Sequence, residues 1–340
     1  MRISVIVPCR NEATHIDGFL ESVLSQRLSS TDDQLEIVIA DGMSDDGTRE
    51  RLAAWQAQEP RLKVIDNPRR FTSAALNLAT LHASGEIVVR MDVHTLYADD
   101  YVAACIETLR RTGAVCVGGA WRPVGTGWPQ AAIADAFESS FGSGGAASRR
   151  AGYDGPVDTV YLGAWRRTDL IRLGGFDETL VRNQDDELNL RINRCGGVVW
   201  QGAAIRSWYT PRASFKALYR QFYQYGYWKV AVIRKHRLPA SARQLVPFAF
   251  VVTLVTLAFG GLVWPAAGGA LVVMMAAYSA AAFATASTHC GIFRAPRRAA
   301  GYVLACLCMH AGYGIGFAHG ILDFGVLRRY PRSAATGLTR

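Results

Sequence analysis

The chain has 340 residues, is 50% hydrophobic and carries a formal net charge of +9, with a mean hydropathy of +0.09. This length suits one large domain or two smaller ones, and the positive hydropathy indicates that part of the chain lies in lipid. Seven scattered cysteines without a C-x-x-C pair argue against a disulfide scaffold or a zinc site and are typical of a reducing compartment. The positive charge forms no long Lys/Arg run, so a membrane surface and a phosphate-bearing substrate explain it better than nucleic acid does.

The N-terminal part of the chain alternates between strand and helix patterns. Short apolar runs predict strands that are buried on both faces, and apolar residues at helical spacing predict helices between them. The predicted strands are 3–7, 35–40, 62–65 and 86–91, and the predicted helices are 16–24, 48–58 and 73–82. This order predicts an α/β fold, with a mostly parallel sheet covered by helices on both faces. The first apolar run is too short for a signal peptide, so we expect the N-terminus in the cytoplasm.

The middle of the chain is more irregular. Residues 118–158 are rich in glycine and predict a long functional or mobile loop, and strand and helix signals return from 159 to 200. Between Phe215 and Val232, apolar and aromatic residues lie on one helical face among several Lys and Arg residues. This pattern favours an amphipathic helix at a membrane surface, and an ordinary surface helix is the alternative.

The C-terminal part is predicted to lie in a membrane. No Asp, Glu, Lys or Arg occurs from Leu245 to Phe293, which is long enough for two spanning helices with a break near residues 264–269. A third apolar segment covers 299–322. Basic residues follow the second and the third segment, namely Arg294, Arg297 and Arg298, and Arg328, Arg329, Arg332 and Arg340. Three crossings would place the last group outside, against the positive-inside tendency, so spanning and interfacial placements of the third segment both remain open.

Polar side chains follow three of the predicted strands. Residues 8–12, 41–48 and 92–94 lie where parallel strands end, and the carboxyl ends of such strands bind ligands. Carboxylates at this edge suit ribose hydroxyls, the N–H of a base or a divalent metal. Asp92 and His94 are two residues apart, so in an extended segment their side chains point the same way and can share one cation. That cation would neutralise a departing diphosphate.

A second acidic cluster lies further along the chain. It consists of the glycine-rich stretch 174–178 and residues 183–191, which carry three successive carboxylates before a helix pattern. Capping of the helix N-terminus explains one or two of these carboxylates. A third one is available to deprotonate an acceptor hydroxyl.

Together these motifs resemble glycosyltransferases of family 2, which have the GT-A fold, and among them those of bacterial exopolysaccharide assembly of the succinoglycan type. The resemblance covers about residues 1–245. The motifs that carry it are ISVIVPCRNE, DGMSDDGT, MDVH, GGFDE with NQDDELNLR, and QFYQYGYW.

The resemblance implies a role for each matching residue. It implies a metal-dependent inverting transfer in which Asp185 is the general base, with Asp186 as the second candidate, and in which Asp92 and His94 hold Mg²⁺ or Mn²⁺. The residues implied in nucleotide-sugar binding are Pro8, Arg10, Glu12, Asp41, Ser44, Asp46, Asn77, Met91 and Asp92. The residues implied in acceptor contact or site closure are Trp165, Gln221, Tyr225 and Trp228.

The chain departs from the family pattern at three places. His94 stands where a second Asp is common, and imidazole shifts the metal preference towards Mn²⁺. Gln184 stands where Glu is usual and cannot act as a base, which leaves this role to Asp185. The arginine of the family's Q-x-x-R-W element is replaced near Tyr227, and Arg212 and Arg220 are the alternative sources of that charge.

The sequence therefore predicts a hexosyltransferase, with UDP-glucose as the expected donor and a lipid-linked saccharide as the expected acceptor in exopolysaccharide or cell-surface glycan assembly. The alternative is a non-catalytic, membrane-anchored protein that binds sugar nucleotides and recruits partners. A dehydrogenase is excluded, because no G-x-G-x-x-G follows the first strand. We expect a multi-pass inner-membrane protein in four segments: a cytoplasmic catalytic domain (1–215), an interface and closing segment (216–243), a membrane region (244–327) and a basic tail (328–340).

Overall fold

The computed structural model describes residues 1–290, 295–329 and 331–337, apart from the side chains of Cys290 and Ala334. Of the predicted basic residues, Arg294 and Arg340 therefore lie outside the described residues. The chain divides into two compact units, both discontinuous in sequence. The first unit is Met1–Arg122 with Arg150–Tyr209, and the second is Pro123–Arg149 with Thr210–Arg340. The predicted domain boundary at residue 215 lies close to Thr210, where the second part of the second unit begins. Pro123–Arg149 was assigned to the catalytic domain by sequence, but in the structure it belongs to the second unit.

An eight-stranded mixed sheet forms the centre of the first unit, in the order β3-β2-β1-β4-β9-β6-β10-β8. Strands β1 to β4 are parallel, and β9 runs antiparallel between β4 and β6. A small second sheet has the order β5-β11-β7. The strands are β1 (Arg2–Cys9), β2 (Gln34–Asp41), β3 (Leu62–Asp66), β4 (Ile87–Arg90), β5 (Thr95–Tyr97), β6 (Cys116–Gly119), β7 (Arg122–Pro123), β8 (Gly155–Pro156), β9 (Tyr161–Arg166), β10 (Val199–Gln201) and β11 (Ser207–Tyr209).

Helices cover both faces of the large sheet, because β1, β2 and β4 are apolar on both sides. The two resulting core clusters lie on opposite faces: alternate residues of β1 such as Val5 and Ile6 belong to different clusters. The helices of this unit are α1 (Ile16–Leu24), α2 (Thr48–Gln58), α3 (Thr72–His82), α4 (Tyr101–Thr112), α7 (Arg167–Arg172) and α8 (Gln184–Arg194), and those of the second unit up to residue 149 are α5 (Gln130–Glu138) and α6 (Ser140–Ser143). The predicted α/β architecture is thus present.

The segment 118–158 differs from the predicted long loop. It contains β7, α5, α6, a short 3₁₀ turn (Ala147–Arg149) and β8. Helix α5 forms because four of its nine residues are alanine, and Ile133 and Phe137, four positions apart, are both buried. The glycines that suggested a loop lie before and after this helix but not within it.

The rest of the second unit is helical. It consists of α9 (Phe215–His236), a 3₁₀ turn (Ala242–Leu245), α10 (Val246–Gly260), α11 (Pro265–Cys290), α12 (Pro296–Gly320), a π-helical continuation (Ile321–Leu327) and α13 (Ser333–Thr336). Three segments are long and apolar enough to cross a membrane, namely Ala242–Gly260, Pro265–His289 and Pro296–Leu327. The first two are almost entirely exposed within the unit, whereas half of the third is buried against other helices.

Cysteines form no disulfide among the described side chains. None of Cys9, Cys105, Cys116, Cys195, Cys306 and Cys308 is in a disulfide. Burial raises the pKa of the Cys116 thiol well above its usual value. The buried thiols of Cys9, Cys105, Cys116 and Cys306 are packing groups, whereas Cys195 is exposed.

Candidate active site

Three loops meet at the carboxyl edge of the parallel strands. Cys9 pairs with Asp41 at the ends of β1 and β2, and Ile6 pairs with Arg90 at the end of β4. The loops that leave these strands therefore start side by side. This register brings together the polar residues that follow β1, β2 and β4, as the sequence predicts.

Hydrogen bonds join the loop after β1 to the loop after β2. The backbone N–H of Asn11 donates to Oγ of Ser44 at 2.8 Å, and that of Glu12 donates to Oγ1 of Thr48 at 2.8 Å. The backbone N–H of Ala13 donates to Oδ2 of Asp46 at 3.1 Å. Ser44 and Asp46 therefore shape the loops, because their side-chain oxygens satisfy backbone donors of the neighbouring loop.

Asp41 is buried at the base of this pair of loops and is 1% exposed. Its carboxylate accepts from Oγ of Ser44 at 2.5 Å and from Nη1 of Arg49 at 2.8 Å. Nη2 of Arg49 also contacts Asp66 at 2.9 Å, and these two carboxylates raise the pKa of Arg49 through hydrogen bonds and charge. The Asp41 carboxylate is thus held in one orientation by Arg49, a cation that the sequence-based reasoning did not identify.

Asp92 is held by an arginine two residues earlier. Nε and Nη2 of Arg90 each donate to one carboxylate oxygen of Asp92 at 2.9 Å, a bidentate pair. The hydroxyl of Tyr97 accepts from the backbone N–H of Asp92 at 2.6 Å and donates to its carbonyl at 3.1 Å. Burial raises the pKa of Tyr97 well above 10, so this hydroxyl stays protonated. Both the side chain and the backbone of Asp92 are therefore fixed.

Arg90 also connects Asp92 to Asp185. Burial disfavours the charge of Arg90, but the Asp92 carboxylate and, to a smaller extent, the negative charge of Asp185 raise its pKa above the usual value. Its side chain is 7% exposed, and Nη1 is buried without a hydrogen-bond partner among the described residues. The two carboxylates that the sequence assigns to leaving-group and acceptor chemistry thus act on one guanidinium.

His94 lies beside Glu12 from the first loop. Nδ1 of His94 is 3.4 Å from Oε1 of Glu12, and this nitrogen is buried without a hydrogen-bond partner among the described residues. Within residues 1–290, 295–329 and 331–337 no group of three or more His, Cys, Asp and Glu side chains could hold a metal. The donor set of Asp92 and His94 suits an ion that shares its coordination with substrate phosphates, as Mg²⁺ does in many enzymes, and does not suit an all-protein cage.

Helix α8 presents three carboxylates in its first turn, and they have different environments. Glu187 is 0% exposed and pairs with Arg191, one turn later, at 2.6 Å. Asp185 and Asp186 are only partly buried, and Oδ1 of Asp185 accepts the backbone N–H of Asp186 at 2.9 Å. Glu187 is therefore a structural residue, while Asp185 is accessible and lies within the field of Arg90.

Asn77 lies under the glycine-rich turn that precedes α8. Its Nδ2 donates to the carbonyl of Phe176 and to Oε1 of Glu178, both at 2.8 Å, and its Oδ1 accepts the N–H of Phe176 at 2.8 Å. A Cβ at Gly175 would be 2.5 Å from Oδ1 of Asn77, and Gly175 has φ of +67°, so glycine is required there. The structure gives Asn77 the role of holding this turn, which differs from the nucleotide contact expected by sequence.

Two further expected ligand contacts belong to the core. Trp165 in β9 is 1% exposed and packs edge-to-face on Phe176 at 5.8 Å. Met91 is 0% exposed, and its backbone N–H donates to the carbonyl of Ile6 at 3.2 Å. Neither side chain is placed to contact a ligand, because a tryptophan within a buried strand or a methionine directly after one fills the core unless the backbone turns it outward. Pro8 is the penultimate residue of β1. Arg10 packs over Gly42: a Cβ added at Gly42 would lie 3.2 Å from Cβ and from Cδ of Arg10.

Comparison with known proteins agrees with this geometry. Residues 4–174 match the family model described as glycosyl transferase family 2. The succinoglycan biosynthesis protein ExoA of Rhizobium meliloti (strain 1021) is 33% identical over 326 residues, 94% of this chain and 95% of that protein. The chain belongs to glycosyl transferase family 2.

Other matches extend this glycosyltransferase assignment. A dolichyl N-acetyl-alpha-D-glucosaminyl phosphate 3-beta-D-2,3-diacetamido-2,3-dideoxy-beta-D-glucuronosyltransferase of Methanococcus voltae is 28% identical over 76% of this chain and 82% of that protein. The solved mannosyltransferase PcManGT from Pyrobaculum calidifontis, in complex with GDP-Man and Mn²⁺, aligns with a TM-score of 0.61 and 22% identity, over 90% of this chain and 86% of that one. The fold is GT-A, with candidate membrane helices at the C-terminal end. The protein is therefore a membrane-associated glycosyltransferase of exopolysaccharide or glycan biosynthesis.

The residues that the sequence assigns to acceptor contact or closure, apart from Trp165, lie on α9 in the second unit. Nε2 of Gln221 donates to the hydroxyl of Tyr225 at 2.9 Å, and Nε1 of Trp228 donates to the carbonyl of Ala335 at 2.8 Å. Gln224 lies four residues before Trp228, which is the spacing of the Q-x-x-R-W element, so Gln224 fits its glutamine better than Gln221 does.

The position of the missing arginine is taken by Tyr227, whose hydroxyl donates to Asp323 at 2.9 Å. Burial raises the pKa of Tyr227 to about 12, so the hydroxyl is a stable donor. Counting residues back from Trp228 is the signal that identifies Gln224 and Tyr227 from sequence. Arg90 has a comparable signal, since it is a charged residue at the end of a strand that is otherwise fully buried.

Proposed function

We propose that the protein is an inverting, metal-dependent hexosyltransferase that uses a nucleoside-diphosphate sugar, with UDP-glucose as the first candidate, and a lipid-linked saccharide acceptor. The observation that carries this proposal is the shared guanidinium of Arg90, which binds Asp92 directly and feels the charge of Asp185. Because Arg90 lies within electrostatic reach of both carboxylates, the proposed leaving-group side and acceptor side lie near one another, and such positioning lowers the barrier of a reaction between two substrates.

The proposed reaction is one displacement. Asp185 accepts the proton of an acceptor hydroxyl, and the oxygen of that hydroxyl attacks the anomeric carbon from the face opposite the diphosphate. The bond between the anomeric carbon and the diphosphate oxygen breaks, and the nucleoside diphosphate leaves with the electron pair. The configuration at the anomeric carbon is therefore inverted. Asp185 is the base in preference to Asp186 because its charge acts on Arg90, and Glu187 is excluded because Arg191 binds its carboxylate.

Asp92 and His94 are the proposed metal ligands, and a bound Mg²⁺ or Mn²⁺ would neutralise charge on the leaving diphosphate. Nδ1 of His94 makes no hydrogen bond to a described residue, and each Asp92 oxygen has a second lone pair, so these atoms are available to bind a metal. Arg90 keeps Asp92 ionised and oriented, as partners of metal ligands commonly do. The related fold of PcManGT, which was solved with Mn²⁺ and GDP-Man, supports divalent metal use.

The donor is proposed to bind over the cross-linked loops. Asp41 is assigned to the base or ribose, with Ser44 and Asp46 shaping the loop, and Pro8, Arg10 and Glu12 lining the pocket. The rigidity of these loops supports this proposal, because a preorganised pocket loses little entropy when it binds a ligand. Asn77 and Met91 contribute indirectly, through the turn before α8 and through the core.

The acceptor is proposed to be presented at the cytoplasmic face of the inner membrane. The candidate spans and the lipid-linked substrate in the name of the Methanococcus voltae relative support a lipid-linked acceptor. Gln224, Tyr225 and Trp228 are proposed to close the site. Residues 1–209 without 123–149 form the proposed catalytic domain.

The test is nucleotide release by the full chain purified in detergent. It is incubated with a panel of nucleotide sugars, with Mg²⁺, Mn²⁺ or EDTA, and with or without a membrane lipid extract. Metal-dependent release from one donor, increased by the extract, is the expected result. Absence of release from every donor by a folded sample that still binds UDP would contradict the proposal and favour the recruiting protein. The anomeric configuration of the product, measured by NMR, tests inversion separately.

A further inference from the structure

Three segments of the glycosyltransferase have the length of a membrane span, but the number of crossings depends on where α12 ends. The arginines that follow α12 argue against a third crossing, whereas its length allows one. The contacts of α12 with α9, α10 and α11, all within the second unit, decide between these alternatives.

Helix α12 packs along α9 through a face of glycines. An added Cβ would be 2.7 Å from the carbonyl oxygen of Tyr219 at Gly312, and 2.0 Å from that of Tyr223 at Gly316. The next glycine, Gly320, meets the carbonyl of Tyr227 at 2.6 Å. The contacts advance by four residues in the same direction on both helices, so α9 and the second half of α12 run parallel with their backbones in contact.

The chain after α12 stays beside the end of α9. Nη1 of Arg234 donates to the carbonyl of Phe324 in the π-helical continuation. Beyond it, Ala335 accepts from Nε1 of Trp228 at 2.8 Å, and Gly337 accepts from Nε2 of Gln224 at 2.8 Å. The C-terminal segment therefore turns back along α9 and does not leave it.

The end of α9 is also close in sequence to the first span. Only residues 237–245 separate α9 from α10, and they include Arg237, Arg243 and a 3₁₀ turn. A segment so short and polar does not cross a bilayer. The end of α9, and with it the end of α12, therefore lies on the membrane side where α10 begins.

The start of α10 and the end of α11, which are the two open ends of this helical hairpin, both contact α12. Phe248 in the first turn of α10 packs on Phe317 with ring centroids 5.0 Å apart. Thr285 near the end of α11 is 3.0 Å from the hydroxyl of Tyr302. The two contacts lie 15 positions apart on α12, or about 22 Å along its axis. Both ends of α12 are thus close to the membrane side from which the hairpin starts and to which it returns.

Charge favours the same placement. The buried carboxylate of Asp323 at the end of α12 pairs with Arg329 at 2.8 Å and with Arg332 at 2.7 Å. Charged groups are costly within the hydrocarbon and stable at its surface. Helix α9 carries further cations along its length, Lys216, Arg220, Lys229, Arg234 and Lys235, and is not among the candidate spans. A third crossing would draw this helix into lipid together with its partner.

We propose that α12 does not cross the bilayer: the chain crosses twice, through α10 and α11, and α12 lies with α9 at the membrane surface with the C-terminal segment on the same side as α9. The partner of this α9–α12 layer is the lipid surface itself. We take the side of α9 to be the cytoplasmic side, and this assignment rests on the proposed function. The number of crossings does not depend on catalysis.

The test is labelling of cysteines with a membrane-impermeant maleimide in right-side-out and inverted membrane vesicles. Native Cys195, which is exposed in the first unit, marks the side of that unit, and Cys195→Ser provides the background for new cysteines. Ser333→Cys reports the exposed tail, with Arg328→Cys as a second position if that variant does not accumulate. Leu262→Cys reports the turn between α10 and α11, where Leu262 is 80% exposed.

We expect Ser333→Cys to be labelled in inverted vesicles only, as Cys195 is, and Leu262→Cys in right-side-out vesicles only. Labelling of Ser333→Cys from the face opposite Cys195 would establish a third crossing and overturn the proposal. Labelling of Leu262→Cys and Ser333→Cys from one common face would also overturn it, because the hairpin would then not cross. No activity is measured, so failure of the proposed chemistry leaves this result interpretable.

Discussion

The two units of the molecule use charged side chains in different ways. In the first unit, Asp41 and Asp92 are each bound by an arginine at the carboxyl edge of the sheet, and Asp92 remains partly exposed there. In the second unit, Asp135 is bound by Arg298, and Asp323 by Arg329 and Arg332, at contacts between helices. The comparison teaches that an acidic residue with an arginine partner is not by itself a functional signal.

What separates the two cases is the geometry around the pair. At the sheet edge, Nη1 of Arg90 has no hydrogen-bond partner among the described residues, and a second carboxylate acts on the same guanidinium. At Asp323, two arginines and the hydroxyl of Tyr227 surround one carboxylate. A buried donor or acceptor without a hydrogen-bond partner can still bind a ligand and therefore indicates a site. A carboxylate whose oxygens are all occupied by protein groups indicates a structural contact. The following substitutions test this distinction, from the largest expected effect to the smallest.

The largest effect is expected for Asp185→Asn. Removal of the proposed base should lower kcat for sugar transfer by about 10²–10⁴-fold, because the amide cannot accept the acceptor proton. Binding of the nucleoside diphosphate, measured by calorimetry, should change little. Asp186→Asn is the matched control on the next residue and should retain most of the activity. Equal losses in both variants would remove the basis for choosing Asp185.

A smaller loss is expected for Arg90→Gln, since Arg90 positions Asp92 and does not itself take part in proton transfer. We expect activity to fall by about 10–100-fold, with a higher metal concentration needed for half-maximal rate. Arg90→Lys keeps the charge but not the bidentate geometry, and should recover only part of the loss. A purely structural arginine would lower protein stability without changing the metal dependence, and metal titration of both variants distinguishes the two roles.

In the second unit, Asp323→Asn should affect stability and leave the chemistry unchanged. Loss of the carboxylate leaves Arg329 and Arg332 without their counter-charge, but both are partly exposed, so we expect a destabilisation of about 1–2 kcal/mol. Thermal unfolding in detergent measures it, with Arg328→Gln as the control for a lost charge outside this cluster. An unchanged unfolding temperature would show that the cluster does not hold the C-terminal segment.

The smallest effect is expected at the amino edge of the large sheet. Burial would raise the pKa of Glu36, but hydrogen bonds from Ser4, Ser84 and Gly85 together lower it below the usual 4.5. Because the folded pKa is lowered, this stabilisation is present above pH 4.5 and is lost as the pH falls below that value. Glu36→Gln should therefore cost at most about 1 kcal/mol at pH 7 and less at low pH, where the two proteins converge. A constant difference across pH would contradict this, and activity should be unaffected.

Much of the first unit was predictable from its residues. The strands at 3–7, 35–40, 62–65 and 86–91 fall within or beside β1 to β4, because short β-branched runs bounded by polar turns have few other stable arrangements. The convergence of their loops followed from the parallel order. By contrast, α5 of the second unit was hidden by the glycines on both sides of it, and Trp165 was taken for a contact residue because exposure is not readable from an aromatic side chain alone.

The second unit was predictable only as apolar segments. Their length and lack of charge indicate lipid or a buried helix bundle equally well, since a helix that is apolar all round specifies no neighbour. The glycines of α12 recur every four residues at 312, 316 and 320 in the sequence, but the sequence does not show which helix packs against them. That partner is α9, whose own sequence suggested a separate surface helix.

The sequence by itself determined the order of strands and helices, the polar loops at the carboxyl edge, the family resemblance and the apolar C-terminal segments, because these depend on local periodicity and on short motifs. Only the tertiary structure decided that Arg90 binds Asp92 within reach of the charge of Asp185, that Asn77 and Glu187 are structural, and that α12 follows α9. Each of these depends on burial or on contacts with distant parts of the chain, which no local pattern encodes.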